Sequence, residues 1–299
     1  MVATFGTIAL ALLAGVTQIS ASPILESRSI STLSASQVAS YKRYTYFAGA
    51  AYCKPTNTLA WNCGSNCNFN TGFKPIASGG DGSIVQYWYV GYDPTTANVI
   101  VGFQGTDASK ILPVVTDLDF FLDELDATLF PGVSTSIKTH NGFGNAHAKS
   151  ANAVLAAVKK GFSTYGTTKV TVVGHSLGAA IAIISTGHLS LHLPAGTTIR
   201  TISYSSPRVG NVEFANWVNA RADMVRINNQ DDIIPIVPGR FLGFAHTEGE
   251  IHIVDSNAWI SCPGQDNTDS QCTIGYVPNI LAGDTGDHSG PFDGVNIGC

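Results

Sequence analysis

Charged residues are scarce in this sequence, and basic residues are scarcer than acidic ones. Lysine and arginine number 16 and aspartate and glutamate 21, so 12% of the 299 residues are charged and the formal net charge is -5. Soluble domains usually carry about twice that fraction, so uncharged polar residues and glycine must cover much of the surface. Proteins that bind a phosphate backbone use clustered lysine and arginine, and no such run occurs. The composition argues against a nucleic-acid partner, and 44% hydrophobic residues argue against a disordered chain.

Long apolar runs are absent except near the start of the chain. The first 21 residues contain no charged side chain, and residues 7–16 form an apolar stretch of the length found in signal peptides. A membrane-spanning helix needs about 20 apolar residues, and no other segment approaches that length. We therefore expect a secretory signal peptide over residues 1–21, a single domain over residues 22–299, no transmembrane segment and an extracellular location.

Cysteine is also sparse, and it is confined to two regions of the chain. Three cysteines lie early, three lie late, and nearly two hundred residues between them contain none. An even number in a secreted chain favours disulfides over a thiolate metal site, so we expect no metal ion. The sequence alone permits 15 pairings. The six residues are Cys53, Cys63, Cys67, Cys262, Cys272 and Cys299.

The hydrophobic pattern predicts an α/β fold. A capping box at Ser34 and Gln37 predicts the start of a helix, and strand and helix patterns alternate in the second half of the chain. This alternation is typical of a central, mostly parallel sheet with helices on both faces. We predict helices from residue 34 and at 145–160 and 212–221, an antiparallel strand pair at 83–92 and 98–103, further strands at 169–173, 199–204 and 224–227, and an outer strand at 250–255.

One short motif carries the chemistry. Gly174-His175-Ser176-Leu177-Gly178 directly follows a predicted buried strand and directly precedes an apolar helix. A serine on such a sharp turn is held in a strained conformation with its hydroxyl exposed above the sheet, and the flanking glycines avoid collisions with neighbouring backbone. The pattern predicts that Ser176 is a nucleophile and that the backbone N–H of Leu177 helps to form an oxyanion hole.

A serine nucleophile requires a general base and an acid that orients this base. The sequence offers more than one candidate for each role. Asp231 and Asp232 both lie in a polar loop after the strand at 224–227, where a catalytic acid is expected. His246 precedes a predicted strand, His252 lies within it and His288 lies in a glycine-rich loop. Loop placement favours His288 moderately.

Six segments, in this order along the chain, form a recognisable set. They are Phe103-Gln104-Gly105-Thr106, His140-Asn141-Gly142-Phe143, Gly174 to Gly178, Pro207-Arg208-Val209-Gly210-Asn211, Asp232-Ile233-Ile234-Pro235 and Asp287-His288-Ser289-Gly290. Through them the sequence resembles, over most of the mature chain, the fungal class 3 lipases, which are secreted triacylglycerol lipases of the α/β-hydrolase fold related to feruloyl esterases. The resemblance implies that Ser176 is the nucleophile, Asp232 the acid and His288 the base, and that His246 is structural.

A second oxyanion donor is expected from the loop after an earlier strand. Thr106 follows the predicted strand at 98–103, and members of the resembled family carry serine or threonine there, so we expect its backbone N–H to be this donor. Gln104 stands where the family usually has arginine, so this chain lacks a charge behind the oxyanion loop.

The resemblance also implies a lid, a disulfide pattern and a substrate class. The lid would be the apolar stretch Ile111, Leu112, Pro113, Val114 and Val115, and the disulfides would be Cys53–Cys299, Cys63–Cys67 and Cys262–Cys272. We expect a cofactor-free, monomeric triacylglycerol lipase that acts at a lipid–water interface through an acyl-enzyme. The alternatives are a feruloyl-type esterase and a non-catalytic lipid-binding protein. His188 and His192, four residues apart, are expected to be unpaired surface histidines.

Overall fold

The computed structural model describes residues 1–2, 29–106 and 121–299. Most of the predicted signal peptide and the whole of the predicted lid stretch, residues 111–115, lie outside these described residues. None of the helices within the described segments is long and apolar enough to span a membrane.

The described strands form two sheets. The larger has nine strands in the order β1-β13-β12-β10-β8-β7-β4-β3-β2, and the smaller has the order β11-β9-β6-β5. The strands are β1 (Ser31–Thr32), β2 (Lys74–Gly79), β3 (Trp88–Asp93), β4 (Asn98–Phe103), β5 (Leu122–Glu124), β6 (Lys138–His140), β7 (Lys169–His175), β8 (Thr198–Tyr204), β9 (Gly210–Asn211), β10 (Asp223–Asn229), β11 (Phe244–Ala245), β12 (Glu250–Ile253) and β13 (Trp259–Cys262).

Strand direction divides the large sheet into a parallel centre and antiparallel margins. β4, β7, β8, β10 and β12 pair in parallel, while β2, β3, β13 and β1 pair antiparallel with their neighbours. The predicted antiparallel pair is β3 with β4. Because parallel strands end at the same edge, the loops after β4, β7 and β10 meet there, and the predicted site residues Thr106, Ser176 and Asp232 lie on those loops.

Helices cover both faces of this sheet. α1 (Ala35–Ala50) begins at the predicted capping box of Ser34 and Gln37. The others are α2 (Pro55–Ala60), α3 (Ser65–Phe69), α4 (Asn141–Ala148), α5 (Ala151–Tyr165), α6 (Leu177–His192), α7 (Val212–Asn219) and α8 (Thr273–Tyr276).

Side chains of the central strands alternate between two apolar layers, as the two-residue period of a strand requires. Val173 of β7 and Ile100 of β4 belong to the layer that includes α1. Val172 and Val101, one residue away on the same strands, belong to the layer that includes α5 and α6. The predicted α/β class, with a mostly parallel sheet and helices on both faces, is confirmed.

The predicted helix at 145–160 is wrong in its extent, because the structure has two helices there. α4 ends at Ala148 and α5 begins at Ala151. The pattern missed the start of α4 because Gly142 and Gly144 lower its intrinsic helix propensity. The ring of His140 compensates, since its Nδ1 accepts the N–H of Gly142 at 3.0 Å.

The strand predicted at 250–255 is present as β12, but its predicted outer position is wrong, because β12 lies inside the sheet between β10 and β13. All four of its residues are buried. The sequence alternates because Glu250 and His252 are polar, yet both side chains are buried and hydrogen-bonded. Glu250 pairs with Arg226 at 3.1 Å, and His252 contacts two backbone carbonyls.

Candidate active site

Ser176 lies at the turn between β7 and α6. Its backbone has φ 59° and ψ -129°, a positive φ that side-chain-bearing residues rarely adopt. A Cβ at Gly174 would collide with the carbonyl oxygen of Gly178, and a Cβ at Gly178 would collide with that of Phe103. The two glycines therefore let this strained turn pass between its neighbours, which is the local geometry that the motif predicts.

His288 and Asp232 are brought together from positions 56 residues apart. His288 Nδ1 donates to Asp232 Oδ2 at 2.9 Å and lies 3.1 Å from Oδ1, and both side chains are almost fully buried. The other ring nitrogen, Nε2, has no hydrogen-bond partner in the described part of the chain. A neutral imidazole that donates through Nδ1 carries a lone pair on Nε2, so His288 is arranged as a base.

Asp231, the alternative acid, occupies a different position. Its backbone N–H donates to Asp287 Oδ2 at 3.2 Å, and the structure gives no contact between its carboxylate and His288. Asp232 Oδ1 also accepts the N–H of Ile234 at 2.9 Å. The carboxylate that meets His288 is therefore also fixed by its own loop.

Tyr52 and His175 form a chain of hydrogen bonds that ends at the backbone of His288. Neither role was identified from the sequence. The Tyr52 hydroxyl donates to His175 Nδ1 at 2.6 Å, and His175 Nε2 donates to the backbone carbonyl of His288 at 2.7 Å. The two histidine rings lie 4.5 Å apart. Burial holds the pKa of His175 well below its usual range, and the nearby His288 lowers it further. His175 therefore stays neutral, and it joins Ser176, its neighbour in sequence, to His288.

The loop after β4 lies against the nucleophile. A Cβ at Gly105 would lie 3.0 Å from the Cβ of Ser176 and would collide with the carbonyl of His175. Thr106 is half-buried beside it, and Leu177 is the first residue of α6, where backbone N–H groups lack partners within the helix.

Gln104 secures this loop without the charge of an arginine. Its side-chain Oε1 accepts the N–H of Tyr87 at 2.9 Å, and its own N–H donates to the carbonyl of Tyr87 at 2.9 Å. The loop is therefore anchored to the start of β3 by two hydrogen bonds to one residue.

A buried charged cluster anchors the chain that follows Asp232. Arg208 donates to Asp266 at 2.8 Å and to the carbonyl of Pro238 at 2.8 Å, while His246 Nε2 donates to the carbonyl of Pro235 at 2.7 Å. Burial raises the pKa of Asp266, but the charge of Arg208 and the hydrogen bonds that Arg208 and the backbone N–H of His246 donate to this carboxylate outweigh burial and lower the pKa to about 2. His246 is thus buried and bonded to a backbone carbonyl, whereas His288 is hydrogen-bonded to Asp232.

The structure contains the three disulfides Cys53–Cys299, Cys63–Cys67 and Cys262–Cys272, the same pairs that the resemblance implies. Among the described residues, the group of potential metal ligands that lies close enough together is Glu250, Cys262 and Cys272. Two of these are joined in a disulfide, so they offer no thiolate.

The expectation for His188 is wrong, because this residue is buried and not on the surface. Its ring lies 5.3 Å from that of His147 and 4.6 Å from that of His192. His192 Nε2 donates to the carbonyl of Leu129 at 2.8 Å. The pattern predicted exposure because polar residues at helical spacing usually face solvent, but here α4 and α6 pack against each other.

Comparison with known proteins identifies relatives of this chain. Residues 100–242 match the family model described as Lipase (class 3). The secreted mono- and diacylglycerol lipase MDL3 of Malassezia globosa is 33% identical over 223 residues, which are 73% of this chain and 71% of MDL3. The secreted mono- and diacylglycerol lipase LIP2 of Malassezia restricta is 32% identical over 173 residues, 56% of this chain and 55% of LIP2, so this match spans about half of that relative.

Solved structures show the same fold. The native Rhizomucor miehei lipase propeptide complex superposes with a TM-score of 0.78 and 27% identity over 90% of this chain and 84% of that chain. Lipase II from Rhizopus niveus superposes with a TM-score of 0.77 and 26% identity over 90% of this chain and 99% of that chain. The architecture is the α/β-hydrolase fold, and the chain belongs to the class 3 lipase family.

Proposed function

We propose that this protein is a serine esterase that hydrolyses acylglycerols, with Ser176 as nucleophile, His288 as general base and Asp232 as the orienting acid. The observation that carries this proposal is the arrangement of His288, whose Nδ1 donates to Asp232 while Nε2 has no partner among the described residues. This ring is coupled through His175 to the strained turn that presents Ser176.

The first half of the reaction forms an acyl-enzyme. Ser176 Oγ attacks the ester carbonyl carbon while His288 Nε2 takes the hydroxyl proton, and Asp232 stabilises the resulting imidazolium. The carbonyl oxygen becomes an oxyanion that accepts hydrogen bonds from the N–H groups of Thr106 and Leu177. Removing one such donor typically costs about 10²–10³ in rate. The imidazolium then gives its proton to the departing alcohol.

The second half of the reaction releases the acid. His288 Nε2 takes a proton from water as the water oxygen attacks the acyl carbon, and the collapsing intermediate expels Ser176 with that proton returned to its oxygen. No group outside the triad, the oxyanion donors and water is needed to balance these steps.

Exposed apolar side chains in the segment that follows the acid and in the segment that precedes the base support a lipid substrate. Leu281 is 93% exposed and Phe241 is 90% exposed. Leu281 lies three residues before Asp284, which pairs with Asp232 in an isolated bridge, and Phe241 lies in the turn Arg240–Leu242 after the acid loop. Large exposed apolar residues favour contact with a lipid surface, since burial there removes them from water.

The names of the relatives support a cellular setting and a substrate class. They describe secreted lipases, which supports secretion of this chain. We further propose that a signal peptide at residues 1–21 is removed and that the remaining single domain acts as a monomer. The same names specify mono- and diacylglycerols, so these partial glycerides join triacylglycerols as candidate substrates.

Hydrolysis rates on matched substrates test this proposal. Emulsions of triolein, diolein and monoolein are compared with soluble methyl ferulate, and Ser176→Ala serves as the inactive control. We expect the highest kcat/KM on an acylglycerol emulsion. A preference for methyl ferulate would make the protein a feruloyl-type esterase, and an intact fold with no hydrolysis of any ester would make it a lipid-binding protein.

A further inference from the structure

The ring of His252 lies between two backbone carbonyls. Its Nδ1 lies 2.7 Å from the carbonyl oxygen of Gln271, and its Nε2 lies 2.9 Å from that of Gln230. A carbonyl oxygen can only accept a hydrogen bond, and a neutral imidazole carries only one N–H. Both contacts are hydrogen bonds only when the ring carries two protons, that is, when His252 is an imidazolium.

The surroundings of this fully buried ring favour a positive charge. The ring of Tyr276 packs against it in a T-shaped arrangement with centroids 4.8 Å apart, and the Tyr276 hydroxyl accepts the N–H of Asp255 at 3.2 Å. Burial and the nearby carboxylate of Asp255 raise the pKa of Asp231, whose carboxylate lies close enough to His252 for a charge on one to act on the other. The negative charge of the acidic groups near His252 therefore favours the imidazolium over the neutral ring.

On β12 itself, the neighbouring charged group is already neutralised. Glu250, two residues before His252 on the same side of the strand, forms a buried pair with Arg226 at 3.1 Å and accepts the N–H of Thr273 at 2.8 Å. This carboxylate is fully used by its own partners.

One of the two carbonyls belongs to the turn that leads into the acid. Gln230 has a φ of 40°, which is unfavourable for a residue with a side chain. Its N–H donates to the carbonyl of Ile253 at 2.7 Å, and its own carbonyl accepts from His252. Two neighbours on β12 thus fix both sides of this residue, and Asp232 follows only two residues later.

We propose that His252 is a positioning residue, held as an imidazolium, that fixes the turn at Gln230 and so holds the carboxylate of Asp232 against His288. This inference rests on the proposed function, because it assumes that Asp232 orients the base. The second hydrogen bond, to Gln271, attaches the same ring to the segment beside Cys272.

Two substitutions separate positioning from simple packing. The amide nitrogen of asparagine reaches about as far as Nδ1, and that of glutamine about as far as Nε2. His252→Gln therefore retains a donor toward Gln230, whereas His252→Asn retains one only toward Gln271. Both variants should lower the Tm. We expect kcat to fall about tenfold in His252→Asn with KM unchanged, and to stay within about twofold of the parent in His252→Gln. Equal loss of kcat in both variants would overturn the positioning role.

The protonation state is measured independently in the unaltered protein. NMR of the full chain with ¹⁵N-labelled histidine reports whether each ring nitrogen carries a proton, and the signal missing in His252→Gln identifies His252. We expect both nitrogens of His252 to be protonated at the assay pH. A single neutral tautomer would overturn the inference. Because this readout needs no turnover, an inactive parent protein would count against the proposed function and not against the imidazolium.

Discussion

Two groups of buried histidines differ in how their ring nitrogens are used. The first group lies at the edge of the sheet that carries Ser176 and Asp232. Both ring nitrogens of His175 and of His252 have partners there. His288 has a partner for Nδ1, and its Nε2 has none among the described residues. The second group lies where α4 packs against α6, which we call the helical layer. None of the four ring nitrogens of His147 and His188 has a hydrogen-bond partner there in the described segments. Burial alone therefore does not distinguish a functional histidine.

The orientation of the ring distinguishes the two groups. The bond from His288 to Asp232 fixes the tautomer and leaves the lone pair on a known nitrogen. His147 and His188 instead pack on aromatic rings, with Phe130 5.7 Å from the first and 5.6 Å from the second. A ring without such a bond has no fixed tautomer. It lowers stability, because an unpaired buried donor typically costs about 1–3 kcal/mol.

The largest effect is expected where the orienting bond of His288 is removed. Asp232→Asn should reduce kcat by about 10⁴, because the amide favours the wrong tautomer of the ring. Asp231→Asn is the matched control and should lower kcat by no more than about tenfold, because its carboxylate acts on Asp232 only through His252. Initial rates on a soluble ester measure both. Equal losses in the two variants would contradict the assignment of the acid.

A smaller effect is expected where the support of His288 is weakened. Tyr52→Phe removes the donor to His175 Nδ1 and should lower kcat about tenfold, the rate equivalent of a net hydrogen-bond contribution. Tyr46→Phe is the control, because its ring stacks on Phe69 at 4.3 Å on the outer part of α1. An unchanged kcat in Tyr52→Phe, or the same loss in Tyr46→Phe, would show that the relay through His175 does not position the base.

The smallest effect on activity is expected in the helical layer, where only stability should change. Burial lowers the pKa of His147 to about 3 and that of His188 to about 4, below the ordinary 6.5. Between pH 6.5 and about 4 the unfolded chain therefore binds more protons than the folded one. The free energy of unfolding falls as the pH falls through this window and is highest above it.

His147→Phe should reduce this acid sensitivity, by about 3 kcal/mol between pH 7 and pH 4. Urea unfolding at the two pH values measures the change, and kcat on a soluble ester at pH 7 should stay within about twofold of the parent. An unaltered difference between the two pH values would show that His147 does not titrate on unfolding.

The sequence predicted those parts of the site that depend on neighbouring residues. The turn at Ser176 follows from two glycines and the strand and helix beside them, all within a few residues. The acid and base could not be separated from Asp231, His246 and His252 by local pattern, because their meeting depends on the pairing of distant strands. Only the family resemblance singled out Asp232 and His288.

The contacts that support the base could not be predicted at all. Tyr52 and His175 are 123 residues apart, and no periodicity in either segment indicates that they meet. The polar side chains of β12 caused a different error. Alternation of polar and apolar residues normally indicates a strand with one face in water, so β12 was predicted to be an outer strand although it is buried. Partners from other strands, and not solvent, satisfy Glu250 and His252.

Covalent labelling tests the central claim most directly. A fluorophosphonate reacts with a serine that a neighbouring base activates, and peptide mass spectrometry locates the modified residue. The account predicts stoichiometric labelling of Ser176 in the parent protein, none in Ser176→Ala, and labelling slowed by orders of magnitude in His288→Ala. Equally fast labelling of Ser176 in folded His288→Ala, or labelling of the parent at another serine, would contradict it.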